Sequence, residues 1–229
     1  MQDSVFVRLL LLPLFQGVSR DELLRMLERT KFNFLSSDSE EIVVNQGELA
    51  NNLVYALSGS YSVERVFSND LRIEEELEAP FIFEPECLFS KSSTWRHTLK
   101  TQTECQLLFI SKHDLITHLL DFTTFRLSLL CYLCRLSDVS ELEERASFPL
   151  TLHESFTQYL KQRMITLYGR KVIYIRMKDL AKRLSTSRLA VSTYLNQLQG
   201  LGVLTLGRKV IEIKDLSSLL TLQNLCVLL

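Results

Sequence analysis

Cysteine is scarce in this chain, and so are long apolar runs. The five cysteines among 229 residues, Cys87, Cys105, Cys131, Cys134 and Cys226, are odd in number and unevenly spaced, which excludes the disulfide framework of a small secreted domain. The opening MQDSVFVRLLLLPLF has an apolar core of about six residues broken by Pro13. That is too short to span a bilayer and lacks the n-region and cleavage pattern of a signal peptide. The chain therefore reads as soluble and cytoplasmic, with no membrane partner. Net charge is nearly absent as well, at −1, but the balance hides a split. Residues 1–150 carry 14 Lys and Arg against 23 Asp and Glu, whereas residues 151–229 carry 12 against 4. A basic unit joined to an acidic one is what a DNA-binding domain with a separate regulatory domain shows. At this length each unit is expected to bury its own core.

The most informative stretch is 177–200, MKDLAKRLSTSRLAVSTYLNQLQG. Leu180, Ala181 and Leu184 share one face of a short helix. After Ser185-Thr186-Ser187, a second apolar stripe runs through Val191, Tyr194, Leu195 and Leu198. Two such faces share one small core only if the helices meet steeply around a short turn, the small Ala181 letting the backbones approach. This is the pattern of a helix-turn-helix whose second helix is free for a major groove. Thr186 or Ser187 is placed to cap that helix, and Arg188 follows at once. Residues 203–213, VLTLGRKVIEI, read as two strands joined at Gly207-Arg208-Lys209, a wing with a basic tip.

Upstream, Val5 to Leu12 and Ser19 to Thr30 read as amphipathic helices, the second opened by a Ser19/Glu22 capping box. From Phe32 the apolar period drops towards two. Short strands are expected at 41–46, 53–58, 60–67, 71–77 and 105–110, with turn residues between them, as in a jelly-roll or double-sheet barrel. After Ser111 the pattern turns helical. Phe122, Phe125, Leu129, Tyr132, Leu136 and Val139 are spaced three, four, three, four, three, a seam able to close on the same helix of a second copy. Leu127, Leu130 and Leu133 are apolar too and would then pack on the barrel. Phe148-Pro149 marks the next boundary. A helix over 152–168 and a strand over 172–176 are expected to lead into the helix-turn-helix.

This order of parts resembles the Crp/Fnr family of bacterial transcription regulators over nearly the whole chain. The most specific points are Lys178-Asp179-Leu180-Ala181, Ser187-Arg188, and Thr103-Glu104-Cys105 entering the last barrel strand. The implied fold is α+β: an N-terminal double-stranded β-helix or jelly-roll barrel for effector sensing over 1–118, a dimerisation helix over 119–147, and a winged helix-turn-helix over 148–229. The resemblance further implies a homodimer on double-stranded DNA at a near-palindromic promoter site, with RNA polymerase as a further partner and no enzyme activity. Arg188 falls where the family reaches guanine, and a forked Arg–G pair is the commonest specific base contact. Leu189 and Thr193 fall where relatives often have Glu and Arg, so the target should differ from the family's best-known site. Thr186 belongs to the same surface, and Ser187, Ser192, Arg208 and Lys209 are suited to phosphates. Ser185 replaces a turn Gly, at a small cost where positive φ is required.

The barrel departs further from the family. Where cyclic-nucleotide-binding relatives carry a Gly-Glu pair and an Arg-Ser/Thr pair, this chain reads Phe83-Glu84-Pro85-Glu86-Cys87 and Trp95-Arg96. A Gly is missing, Pro85 removes an amide donor, and Glu84 and Glu86 place negative charge beside an intended anion, with Arg96 partly compensating. No cyclic nucleotide is expected here, and an effector would be neutral, apolar or cationic. Cys131 and Cys134 lie three apart on the dimer helix and read as buried packing residues, half of a four-ligand set. The N-terminal cysteines of iron–sulfur relatives are absent. Haem on His97, His113 or His118 is an alternative the resemblance carries, outweighed by ordinary structural histidines. Two other classes of function match parts of the sequence: a ligand-binding signalling module whose C-terminal domain contacts protein, and a cupin-like enzyme. The enzyme needs two or three His and a carboxylate converging, and His97 alone lies clearly within barrel sequence.

Overall fold

A computed structural model describes residues 9–10, 12–68, 71–141 and 151–222. Helix α1 (Arg20–Arg29) begins at Ser19, whose hydroxyl accepts from the Glu22 amide while the Glu22 side chain accepts from the Ser19 amide, the reciprocal cap read from the sequence. Eight strands follow: β1 (Phe32–Ser37), β2 (Ile42–Val44), β3 (Asn52–Ser58), β4 (Ser60–Ser68), β5 (Leu71–Glu78), β6 (Phe81–Phe83), β7 (Thr98–Thr101) and β8 (Cys105–Ser111). Helices α2 (Lys112–Thr117), α3 (Thr123–Glu141) and α4 (Leu152–Lys161) lead to β9 (Lys171–Ile175). Helices α5 (Met177–Arg183) and α6 (Arg188–Gly200), strands β10 (Leu204–Gly207) and β11 (Val210–Ile213), and α7 (Leu216–Thr221) complete the described chain. The helix expected at 5–12, the Phe148-Pro149 boundary and Cys226 lie wholly or largely outside the described residues.

The barrel strands form two facing antiparallel layers. One has the order β1-β8-β3-β6, and the other contains β2-β7-β4-β5. Alternation along β5 is regular, with Leu71, Ile73, Glu75 and Leu77 buried and the residues between them half-exposed. Between the layers and α3 lies the first core, including Leu53, Tyr55, Tyr61, Leu99, Leu108 and Phe125.

The second layer does not stop at the barrel. Strand β5 pairs antiparallel with β9, from Leu71 opposite Ile175 to Glu75 opposite Lys171. Strand β9 pairs in turn with the wing strand β11, giving one seven-stranded sheet in the order β10-β11-β9-β5-β4-β7-β2. Leu71 and Ile73 of the barrel hairpin are members of the second core, packed with Phe156, Leu180, Val191, Leu195 and Ile211. The expectation that each domain buries its own core is therefore corrected: the winged unit completes its core with two buried side chains from the barrel, each worth about 1.5–3 kcal/mol when fully buried, and half-buried Phe67 packs beside them.

Charge is paired across the same joint. Lys171 and Glu75 are 0% and 2% exposed, with Nζ 2.7 Å from Oε2. Lys171 Nζ also donates to Thr166 Oγ1 at 2.8 Å, and the Glu75 carboxylate accepts from the Ile165 and Thr166 amides at 2.8 and 3.3 Å. Arg170 bridges Glu76 and Glu212. These contacts explain why α4 ends at Lys161 rather than running to 168 as its sequence suggests. Backbone donors at 165 and 166 go to a carboxylate from another part of the chain, so the helix cannot have them. Gly169 sits at φ +79°, where an added Cβ would lie 2.8 Å from the Glu76 carbonyl oxygen, so the close approach of the two strands excludes a side chain.

Candidate nucleic-acid interface

Leu180 and Ala181 of α5 pack with Val191, Leu195 and Leu198 of α6 in the second core, as the two stripes require. Between the helices Ser185 takes φ +51°, so a non-glycine residue occupies the left-handed conformation foreseen at that turn. Thr186 N–H donates to the Ala181 carbonyl at 3.0 Å, closing the turn. Ser187 is the N-cap of α6, its Oγ accepting from the Ala190 amide at 3.1 Å.

Arg188 is thus the first residue of α6. It is exposed, with Ser187, Leu189 and Thr193 exposed beside it and Thr186 and Ser192 half-buried. Leu189 is 77% exposed. A leucine so placed, at the outer end of a helix whose opposite side is core, has no packing role of its own. The wing hairpin turns at Arg208-Lys209, both exposed, with Gly207 opposite Val210 and Lys209 at φ +63°. Its outer register is held by the Lys209 carbonyl, which accepts from the Ile175 amide at 2.9 Å. The α6 residues named from the sequence accordingly share the exposed N-terminal turns of one helix, and Arg208 and Lys209 share the tip of one hairpin. The arrangement offers two guanidinium groups, an ammonium and several hydroxyls to a polyanion. Missed in the sequence was the His153 contact to α6. His153 Nδ1 lies 2.8 Å from the Tyr194 hydroxyl, while Nε2 is buried with no partner among the described residues. Burial pushes the pKa of His153 down.

The barrel residues singled out for an effector form a self-paired cluster around buried Glu84, with Arg96 exposed at its edge. Glu84 is buried at φ +38° and its carboxylate accepts from the Arg96 and His97 amides at 3.0 and 3.3 Å, from Arg96 Nε at 3.2 Å, and meets His97 Nδ1 at 2.6 Å. Burial alone would raise the Glu84 pKa; the hydrogen bond and charge of His97, with the Arg96 guanidinium, outweigh it and hold the group below the usual carboxylate range. Arg96 also pairs with Glu86, and the Phe83 and Trp95 rings lie 5.6 Å apart. The sequence sets Arg96 beside Glu84 and Glu86 but carries no sign that His97 also meets Glu84. Among the described residues no group of three or more His, Cys, Asp or Glu is placed to hold a metal.

Two expectations for α3 are corrected. Phe125 and Leu129 are 0% and 3% exposed, and Phe122 and Tyr132 pack against the same barrel core, Phe125 with its ring centroid 5.1 Å from Phe15. The proposed seam therefore faces the barrel. Leu136 continues that stripe but is 42% exposed, and the Val139 side chain lies outside the described residues. The free face carries Leu127 and Leu130, at 54% and 52% exposure. Periodicity identified two apolar stripes on this helix but could not say which one the barrel would take. Cys131 and Cys134, read as buried, are exposed on the free side; among the described residues the buried thiols are Cys87 and Cys105. Burial pushes the Cys87 thiol up to about 12, which keeps it protonated and inert.

Residues 129–222 match the family model of the Crp-like helix-turn-helix domain. The chain carries a Crp-like helix-turn-helix domain. The chain shares its fold with the catabolite activator protein of Thermus thermophilus, at 20% identity and a TM-score of 0.50 over 91% of this chain and 96% of that one. DNR of Pseudomonas aeruginosa aligns over 96% of this chain and 98% of its own, at 21% identity and a TM-score of 0.49. The c-di-GMP responsive global regulator CLP of Xanthomonas campestris aligns over 84% and 98%, at 20% identity and a TM-score of 0.41. No curated protein matches the chain. The fold is therefore shared with the catabolite activator protein, and its C-terminal part is a Crp-like helix-turn-helix domain. No helix among the described residues is long and apolar enough to cross a membrane.

Proposed function

We propose that this Crp-like chain is a sequence-specific DNA-binding transcription regulator without enzyme activity, acting as a homodimer on a near-palindromic promoter site. One observation carries the reading: Arg188 stands exposed at the capped N-terminus of α6, on a helix whose opposite side is core. In this role Arg188 reads guanine in the major groove, Leu189 and Thr193 contact neighbouring base edges, and Thr186, Ser187, Ser192, Arg208 and Lys209 hold phosphates. The second copy joins through the free face of α3 at Leu127 and Leu130, which leaves the barrel-facing stripe undisturbed. The chain divides by role into a sensing barrel to residue 118, a dimerisation helix to 147 and a DNA-binding unit beyond.

In the barrel, Glu84 takes the donors that an anionic effector would otherwise use, so a cyclic nucleotide is not the effector. The DNA reading is tested by selecting bound duplexes from a random pool. A palindrome with half-sites about 34 Å apart is expected, and enrichment of no sequence at moderate salt overturns the proposal.

A further inference from the structure

Free cysteine is among the most buried residue types, yet Cys131 and Cys134 are both exposed, on the same apolar face as Leu127. At a separation of three residues on a helix, two side chains stand one above the other with Cβ atoms about 5–6 Å apart. Sulfurs around a tetrahedral zinc-class ion, each about 2.3 Å from it, lie roughly 3.8 Å from one another, within reach of rotamer choice at that spacing. The C-x-x-C spacing also falls within the gap of about two to four residues typical of ligand pairs in structural zinc sites. Among the described residues no further His, Cys, Asp or Glu of the same chain completes a set.

The position of the pair on α3 supplies the other half. Thr124, Leu127, Cys131 and Cys134 follow one another at spacings of three, four and three, so in a parallel two-fold pairing the cysteines occupy consecutive core layers. The two-fold axis then brings the same two thiols from the second copy to the same point. We propose that Cys131 and Cys134 of two copies together bind one thiophilic, tetrahedral divalent cation on the dimer axis. This rests on the homodimer proposed above, with the partner contributing half of the site. Each thiol gives up its proton on ligation, so loading at neutral pH releases up to four protons per ion. Soft sulfur donors select zinc-class ions over magnesium or calcium. The ion clamps the two α3 helices at mid-length and makes dimerisation metal-dependent.

The test uses the full chain, reduced, stripped with a chelator and titrated with Co²⁺ under anaerobic conditions. Absorbance and light scattering are followed together. Expected are an intense thiolate-to-cobalt charge-transfer band, tetrahedral d–d bands, an end point of one ion per two chains, and bleaching by Zn²⁺. Cys131→Ser and Cys134→Ser should each abolish the charge-transfer band, while Cys226→Ser leaves it unchanged. A dimer showing no such band, or one that keeps it in Cys131→Ser, overturns the metal site and leaves the dimer standing. One ion per chain overturns it as well. A monomer under every condition overturns the dimer reading, and the site with it.

Discussion

Replacing Lys171 by Met asks whether the barrel and the winged unit are joined as tightly as their shared sheet implies. The ammonium is 0% exposed and sits 2.7 Å from Glu75 Oε2 and 2.8 Å from Thr166 Oγ1. Methionine fills a similar volume but removes the cation. Glu75 is left 2% exposed, with the Ile165 and Thr166 amides as its remaining donors. A buried carboxylate stripped of its counter-charge costs about 3–5 kcal/mol, against a total stability of about 5–15 kcal/mol. In urea this corresponds to a fall in midpoint of roughly 1 to 2 M. Trp95, the sole tryptophan, lies in the barrel core, so its fluorescence follows the barrel while far-UV dichroism follows the whole chain. In the wild type the two transitions should coincide. In Lys171→Met the dichroic transition should move to lower urea and begin before the fluorescent one. Adding Glu75→Gln to that variant removes the stranded charge and should restore most of the loss, since two neutral side chains replace the pair. A single Lys171→Met variant within 1 kcal/mol of wild type, with coincident transitions, refutes the reasoning.

Arg188→Ala should weaken binding to the selected site by about 1–3 kcal/mol and relax the preference at one base pair per half-site; an unchanged consensus would remove its assigned role. Lys209→Ala should weaken binding to all sequences alike and lower the salt slope by about one, which a mobility-shift series in increasing salt reads directly. His153 has a folded pKa below its unfolded value of about 6.5. The unfolded chain therefore binds more protons between the two values, and stability rises with pH through that window and falls away as pH drops below about 6.5. His153→Gln should flatten that slope in urea titrations at pH 5 and pH 8. Calorimetry of the wild-type chain with cyclic AMP should show no saturable heat, and a saturable isotherm would sink the reading of Glu84 as the occupant of the anion seat.

The sequence discloses what is local and hides what is long-range. Ser187 capping α6, Ser19 capping α1 and the positive φ of Ser185 follow from a few neighbouring residues, and the structure has them where the pattern put them. The strands at 32–37, 81–83 and 98–101 leave little mark in the sequence, since two of them are three or four residues long and none carries a clear alternation. Lys171 and Glu75 look like two more surface charges until strands 96 positions apart are laid side by side. The same pairing shortens α4, because propensity at 162–168 is overridden by where Glu75 sends its oxygens. Helix α3 exposes a limit of another kind: two apolar stripes on one helix are legible, but the choice between them belongs to the barrel.

Strand β9 has no free edge, since the wing takes one side and the hairpin the other. Swinging the wing away from the barrel would therefore strip hydrogen-bond partners from two strands at once and leave a matched pair of bare margins. A second opened copy presents the same pair, and reciprocal exchange between the copies would rebuild every lost bond in trans. Release from the barrel and entanglement of neighbouring molecules are thus two outcomes of a single rupture. The buried Lys171–Glu75 pair, at one end of that ladder, resists both.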